Sequence, residues 1–257
     1  MLEELKSVQE QARVMAGKYS LGFYTRYSRE HARSKEIFFS HPLIQRLRED
    51  VVPFLNDGFG HGIEHCKKVS IDAGTLALIE TRSWLDVKAG KRITLLAQMA
   101  GLLHDISRHE RDHARKGAEF SRIILQYYPL GPEELDGLAF AVRNHEAFRE
   151  VLEPADQRQA VLSDVLYDAD KFRWGPDNFV TTLWEICSCE EWSLEDIIDR
   201  FPKGLSYIEK VQETFRTSTG RLYGPEFIQC GLEMGRALYR NLRDQYSDSL
   251  EHNLLRD

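Results

Sequence analysis

Four positions combine metal-ligand side chains with otherwise apolar surroundings: His65, the adjacent pair His104-Asp105, and Asp170 within the run Tyr167-Asp168-Ala169-Asp170. Imidazole and carboxylate together suit Fe, Mn, Zn, Ni or Mg, and a His-Asp pair at a helix end can reach one ion if that end is aimed at it. Any one of these residues alone reads more simply as a satisfied core histidine, or as a helix-capping or surface acid. A shared ion becomes the better account only when all four meet. His61-Gly62-Ile63-Glu64-His65 also fits H-x-x-E-H, in which two histidines hold zinc and the glutamate activates water. That alternative leaves the later His-Asp pair and Asp170 without a role. Cys187-Ser188-Cys189 has no second cysteine pair to complete a zinc site, so two thiols on a helix are the expectation there.

The order H…HD…D resembles the HD superfamily of metal-dependent phosphohydrolases. The matching strings are His65-Cys66-Lys67-Lys68-Val69, Gly101-Leu102-Leu103-His104-Asp105-Ile106 and Asp168-Ala169-Asp170-Lys171, spanning roughly residues 60 to 172. Two more segments resemble members with six ligands: His113 opens HARKGAEF, and His145 lies in AVRNHEAF. The resemblance implies one ion held by His65, His104, Asp105 and Asp170, and a second held by His113, His145 and a bridging Asp105. It also implies one or two divalent ions per chain and a metal-activated water as nucleophile, with Asp105 and Lys171 catalytic. His61, Lys116, Arg143, Lys171 and Arg173 lie within about a turn of these positions and could donate to phosphate. Trp174 could stack on a base, although a tryptophan at the edge of the core is the plainer reading.

Those ligands need helices to carry them. Apolar residues recur at helical spacing, with no sustained alternation of the kind a strand shows, so the expected fold is all-α, an HD-domain-like helical bundle with extra N- and C-terminal helices. Helices are expected at 41–50, 62–82, 91–106, 113–128, 132–148 and 157–172, followed by a helical stretch to about 190. Ser193 should begin another, with helices at 203–218 and 224–246 beyond it. Residues 91–106 are nearly all apolar and should be buried with His104 and Asp105 at their end. Asn56 to Gly60 has the composition of a turn. The expected organisation is an N-terminal extension over 1–40, a metal-binding catalytic domain over 41–180, and C-terminal helices over 181–257 packed on the same domain.

Composition narrows the function classes. With 257 residues and 42% hydrophobic content, the chain can bury a sizeable core. A net charge of −7 argues against a broad nucleic-acid surface and leaves room for a few cations around a small phosphorylated substrate, a nucleotide above all. Four irregularly spaced cysteines point to a reducing compartment, and the charged N-terminus lacks a secretory pattern, so a cytoplasmic protein, outside membranes and capable of forming a homodimer, is expected. The leading function is phosphohydrolase, including phosphodiesterase, chemistry. Cyclic dinucleotide phosphodiesterases of the HD-GYP type are disfavoured because no Gly-Tyr-Pro occurs. A di-iron oxygenase and a non-catalytic HD sensor or scaffold are the alternatives.

Overall fold

The computed structural model describes residues 3–55 and 62–254. It is a helical bundle of twelve α-helices with no strand among the described residues. Four N-terminal helices, α1 (Glu3–Ala16), α2 (Gly22–Arg26), α3 (Ser28–Ser40) and α4 (Pro42–Val51), precede the centre. The centre comprises α5 (Ile63–Thr81), α6 (Val87–Leu103), α7 (His113–Leu125), α8 (Pro132–Arg143) and α9 (Gln157–Phe172). A single π-helical turn at Asn178–Thr182 then leads into α10 (Leu183–Cys189), α11 (Leu194–Val211) and α12 (Ser218–Leu254). No described helix is long and apolar enough to cross a membrane.

Helix α6 is the axis of the bundle. Asp86 caps it by accepting from the amides of Lys88 and Ala89, and every residue from Ile93 to Leu103 is buried. A helix that is apolar on all sides must be surrounded, and α5, α8 and α9 supply its surroundings. Its pairing with α5 is the most extensive in the molecule. The closest approach falls at Gly101, where a β-carbon would stand 2.6 Å from Ser70 Cα. Only glycine permits that contact, and it fixes the His104 end of α6 against the helix that carries His65.

Two long-range caps tie α12 to this centre. The buried Asp168 on α9 accepts from the amides of Arg216 and Thr217, and Glu80 on α5 accepts from that of Thr219. These acids occupy the positive end of the helix. Burial nonetheless pushes the Asp168 carboxyl up to about 7.

The C-terminal boundaries differ from those expected. Pro202 does not separate two helices, because α11 runs through it from Leu194 to Val211. A capping box of Ser193 and Asp196 starts that helix, and the buried stripe Leu194, Ile197, Phe201, Ile208 and Val211 continues on both sides of the proline. Packing along the stripe outweighs the lost backbone hydrogen bond. Helix α8 ends at Arg143, earlier than the periodicity suggests, because the Asn144 side chain bonds both backbone groups of Leu152 and turns the chain away. The turn expected at Asn56 to Gly60 lies outside the described residues.

Candidate metal centre

Three helix ends and two helix starts converge on one point. His65 lies in the first turn of α5, His104 and Asp105 directly follow α6, His113 is the first residue of α7, His145 follows α8, and Asp170 is in the last turn of α9. Between α6 and α7 the chain reverses through Asp112, whose φ of 60° is left-handed, and this turn brings His113 back over Asp105.

The six side chains form two groups joined through Asp105. In the first, His65 Nε2 stands 3.1 Å from His104 Nε2 and 3.3 Å from Asp170 Oδ1, and His104 Nε2 is 3.7 Å from that oxygen. Asp105 Oδ2 faces this group, 3.3 Å from His104 Nε2 and 3.8 Å from His65 Nε2. In the second, His113 Nε2 and His145 Nε2 are 3.3 Å apart, and Asp105 Oδ1 lies 3.6 Å and 3.4 Å from them. Each oxygen of one carboxylate therefore serves a different group.

These separations fit ligation. Donor atoms bound about 2.1 Å from one ion stand about 3.0 Å apart at a right angle and about 3.4 Å apart at a tetrahedral angle. Both groups, His65 with His104 and Asp170, and Asp105 with His113 and His145, could hold a metal ion.

Proton positions favour the same reading. His104 Nδ1 donates to the carbonyl of Gly101 at 2.8 Å, and His145 Nδ1 donates to that of Val142 at 2.7 Å. In each case a histidine just beyond a helix satisfies a carbonyl three residues back that the ending helix leaves without an amide. The bond places the ring proton on Nδ1 and turns the Nε2 lone pair toward the cluster, the form in which imidazole binds metals.

Electrostatics complete the donor set. Burial holds His65 below the usual imidazole range, and burial together with the nearby His145 takes His113 down to about 4. Burial alone would raise both carboxyls. His104 instead draws Asp105 well below the carboxylate range, and Lys171 does the same for Asp170. Asp105 and Asp170 in turn hold His104 above the usual imidazole range despite its burial, so a divalent ion bound there would displace a proton from that ring, as metal binding at histidine ligands does.

The surrounding cations divide clearly. Lys171 is buried, donates to Asp170 Oδ2 at 2.5 Å and lines the cavity next to the cluster. Arg173 reaches the cavity wall, but its guanidinium is held by Asp72, Asp177 and the hydroxyl of Tyr24. Lys116 pairs with Glu110 and Arg143 with Asp112, and neither borders the cavity. His61 lies outside the described residues. Glu64, the base of the protease-like string, is exposed and paired with Lys67.

The structure also shows neighbours that sequence reasoning missed. Arg108 Nη1 donates to His113 Nε2 at 3.2 Å and lies 3.6 Å from Asp105 Oδ1, and Glu146 Oε1 lies 3.7 Å from His113 Nδ1. Arg108 follows Asp105 by three residues, one turn on, and that spacing was the available signal. The cavity wall from α10 and α11 gave no local signal.

Family models, curated proteins and solved structures contain no match to this chain.

Proposed function

We propose that the chain is a metal-dependent phosphohydrolase of HD type that acts on a nucleotide or other small phosphorylated molecule. The observation that carries this reading is the division of Asp105, with Oδ2 toward His65 and His104 and Oδ1 toward His113 and His145. One carboxylate bridging two nitrogen-rich groups is the arrangement a dinuclear hydrolytic centre needs.

His65, His104 and Asp170 on one side and His113 and His145 on the other, with Asp105 between them, would hold a pair of divalent ions that would supply a water acidic enough to attack at neutral pH and would offset charge on the phosphoryl group. The protein's own part is positional. Asp105 holds the two ligand groups in register. The Nδ1 bonds of His104 and His145 keep both rings from turning.

Lys171 and Arg108 border the cavity on the two sides of the cluster and present donors to phosphoryl oxygens. In the overall reaction the water oxygen joins phosphorus as the P–O ester bond breaks. The departing oxygen takes a proton, giving an alcohol and inorganic phosphate.

The test is elemental analysis of protein purified without added metal, then anaerobic phosphate release from a panel of phosphate esters with that metal restored. Two ions per chain and phosphate release that vanishes in Asp105→Ala are expected. A chain holding two ions that releases no phosphate from any ester would reject the reading.

A further inference from the structure

The ligand cluster opens into a cavity of about 580 Å³, inside the range of about 300–1,000 Å³ in which drug-sized ligands sit. Inorganic pyrophosphate would leave most of that space empty. The cavity wall is asymmetric. Lys171 and Arg108 stand at the ligand end, whereas the far end, built by the π-helical turn, α10 and α11, is faced mostly by apolar side chains, among them Phe179, Leu183, Ile186, Leu205 and Ile208, with Asn178 and Thr182 beside them and the Arg200 guanidinium lying over the Trp192 ring. An apolar wall continuous with a phosphate-sized polar end has a natural complement in an amphipathic small molecule.

Gly204 is the second observation. It lies inside α11 and on the cavity wall, and a β-carbon built there meets no heavy atom within 4 Å. A glycine in a helix interior is about 1 kcal/mol less favourable than alanine. At Gly101 that cost coincides with a close backbone approach to Ser70. Gly204 is exposed and no packing partner calls for a missing side chain there, so a larger residue at this position would extend into open space bordering the cavity.

We propose that the cavity between the ligand cluster and α11 binds the organic group of the substrate, and that this group is uncharged and apolar, so that the substrate is a phosphate monoester of a hydrophobic alcohol. This rests on the phosphohydrolase reading for its chemistry, and on the cavity wall alone for its selectivity. The polar end takes the phosphate, and the alcohol that leaves after P–O cleavage stays against Ile186, Leu205 and Trp192.

The experiment uses the metal-loaded full chain and two series, n-alkyl phosphates for turnover and the matching non-hydrolysable n-alkylphosphonates for binding, each from methyl to hexyl. Leaving-group basicity is nearly constant beyond ethyl, so chain length reports the wall. Each methylene buried adds about threefold to fourfold. Both kcat/KM and phosphonate affinity should therefore rise by at least about a hundredfold from ethyl to hexyl.

Gly204→Phe fills the open space. It should cost the hexyl compounds more than tenfold and change the methyl compounds by less than about twofold, with thermal stability at or above that of the parent. Affinity that does not depend on chain length, or equal losses for hexyl and methyl compounds in Gly204→Phe, would overturn the proposal. If phosphonate affinity climbs with chain length while no ester is cleaved, the cavity assignment stands and the hydrolase reading falls.

Discussion

The two ligand groups differ in how the fold holds them. His65, His104 and Asp170 come from α5, α6 and α9, the most tightly packed part of the bundle, and Gly101 fixes the α5–α6 contact one turn before His104. The second group depends on a left-handed turn at Asp112 and on residues beyond the end of α8, with His113 its most exposed member at 13% and the Arg108 cation against it. A preorganised site binds its ion with little further ordering, whereas a site on connecting segments also meets the cost of fixing them. The first group should hold its ion tightly, and the second should hold one that exchanges.

Substituting the shared residue gives the largest effect. Asp105→Ala removes one oxygen from each group, so metal content should fall from two ions per chain to fewer than one, and phosphate release should drop by about 10³-fold or more. Helix content by circular dichroism should stay close to that of the parent. Full retention of both ions would break the bridging assignment.

Splitting the groups is the next test. His113→Ala should leave one ion per chain in the first group, while Asp170→Ala should release the tighter ion and leave the weaker one. Mild chelation of the parent should reproduce the metal content of His113→Ala before reaching zero. Identical metal affinities in the two variants would show that core packing and connecting turns hold ions equally well.

Arg108 allows a change in the opposite direction. Its guanidinium lies 3.6 Å from Asp105 Oδ1 and repels a cation placed between Asp105 and His113. Arg108→Ala should tighten the second ion by about tenfold while raising KM for phosphate esters, because neighbours of metal ligands commonly tune affinity by about 10–100-fold. Metal titration with substrate kinetics on the same preparation separates the two effects. Weaker metal binding would mean that Arg108 orders the turn instead of opposing the ion.

The contrast between the two groups also marks what the sequence made legible. The first group lies on helices whose periodicity and apolar content are local properties, so α5, α6 and α9 were readable, and their ends carried the ligand residues. The places of His113 and His145 rested on resemblance, since the reversal at Asp112 and the exit at Asn144 depend on side-chain bonds that periodicity does not encode. Arg173 looked like a phosphate donor from its position three residues after Asp170, but its partner Asp72 lies 101 residues away and takes up its charge. The cavity wall of α10 and α11 was the least legible part, because Pro202 reads locally as a break and only the buried stripe across it shows one helix.

The smallest effect concerns how α8 is anchored. Arg92 on α6 makes a two-pronged bond to Glu134 on α8, at the ends of these helices away from His104 and His145. That partner, with the Gly131 amide, holds the Glu134 carboxyl below its usual range, so it ionises more readily in the folded chain than in the unfolded one. The stability it contributes is therefore complete above the unfolded value near 4.5 and is lost as pH falls through the lower folded value. Glu134→Gln keeps an oxygen to accept from Gly131 but removes the charge and one prong of the Arg92 bond, because its NH2 group cannot accept. It should cost about 1 kcal/mol or less at pH 7, and the two proteins should converge as the pH drops below that lower value. Metal content at pH 7 should not change, because the pair holds the far end of α8 and His145 is set locally by the Val142 carbonyl. If Glu134→Gln sheds the second ion, the looseness of that group reaches along α8 and is not confined to the segment that carries His113.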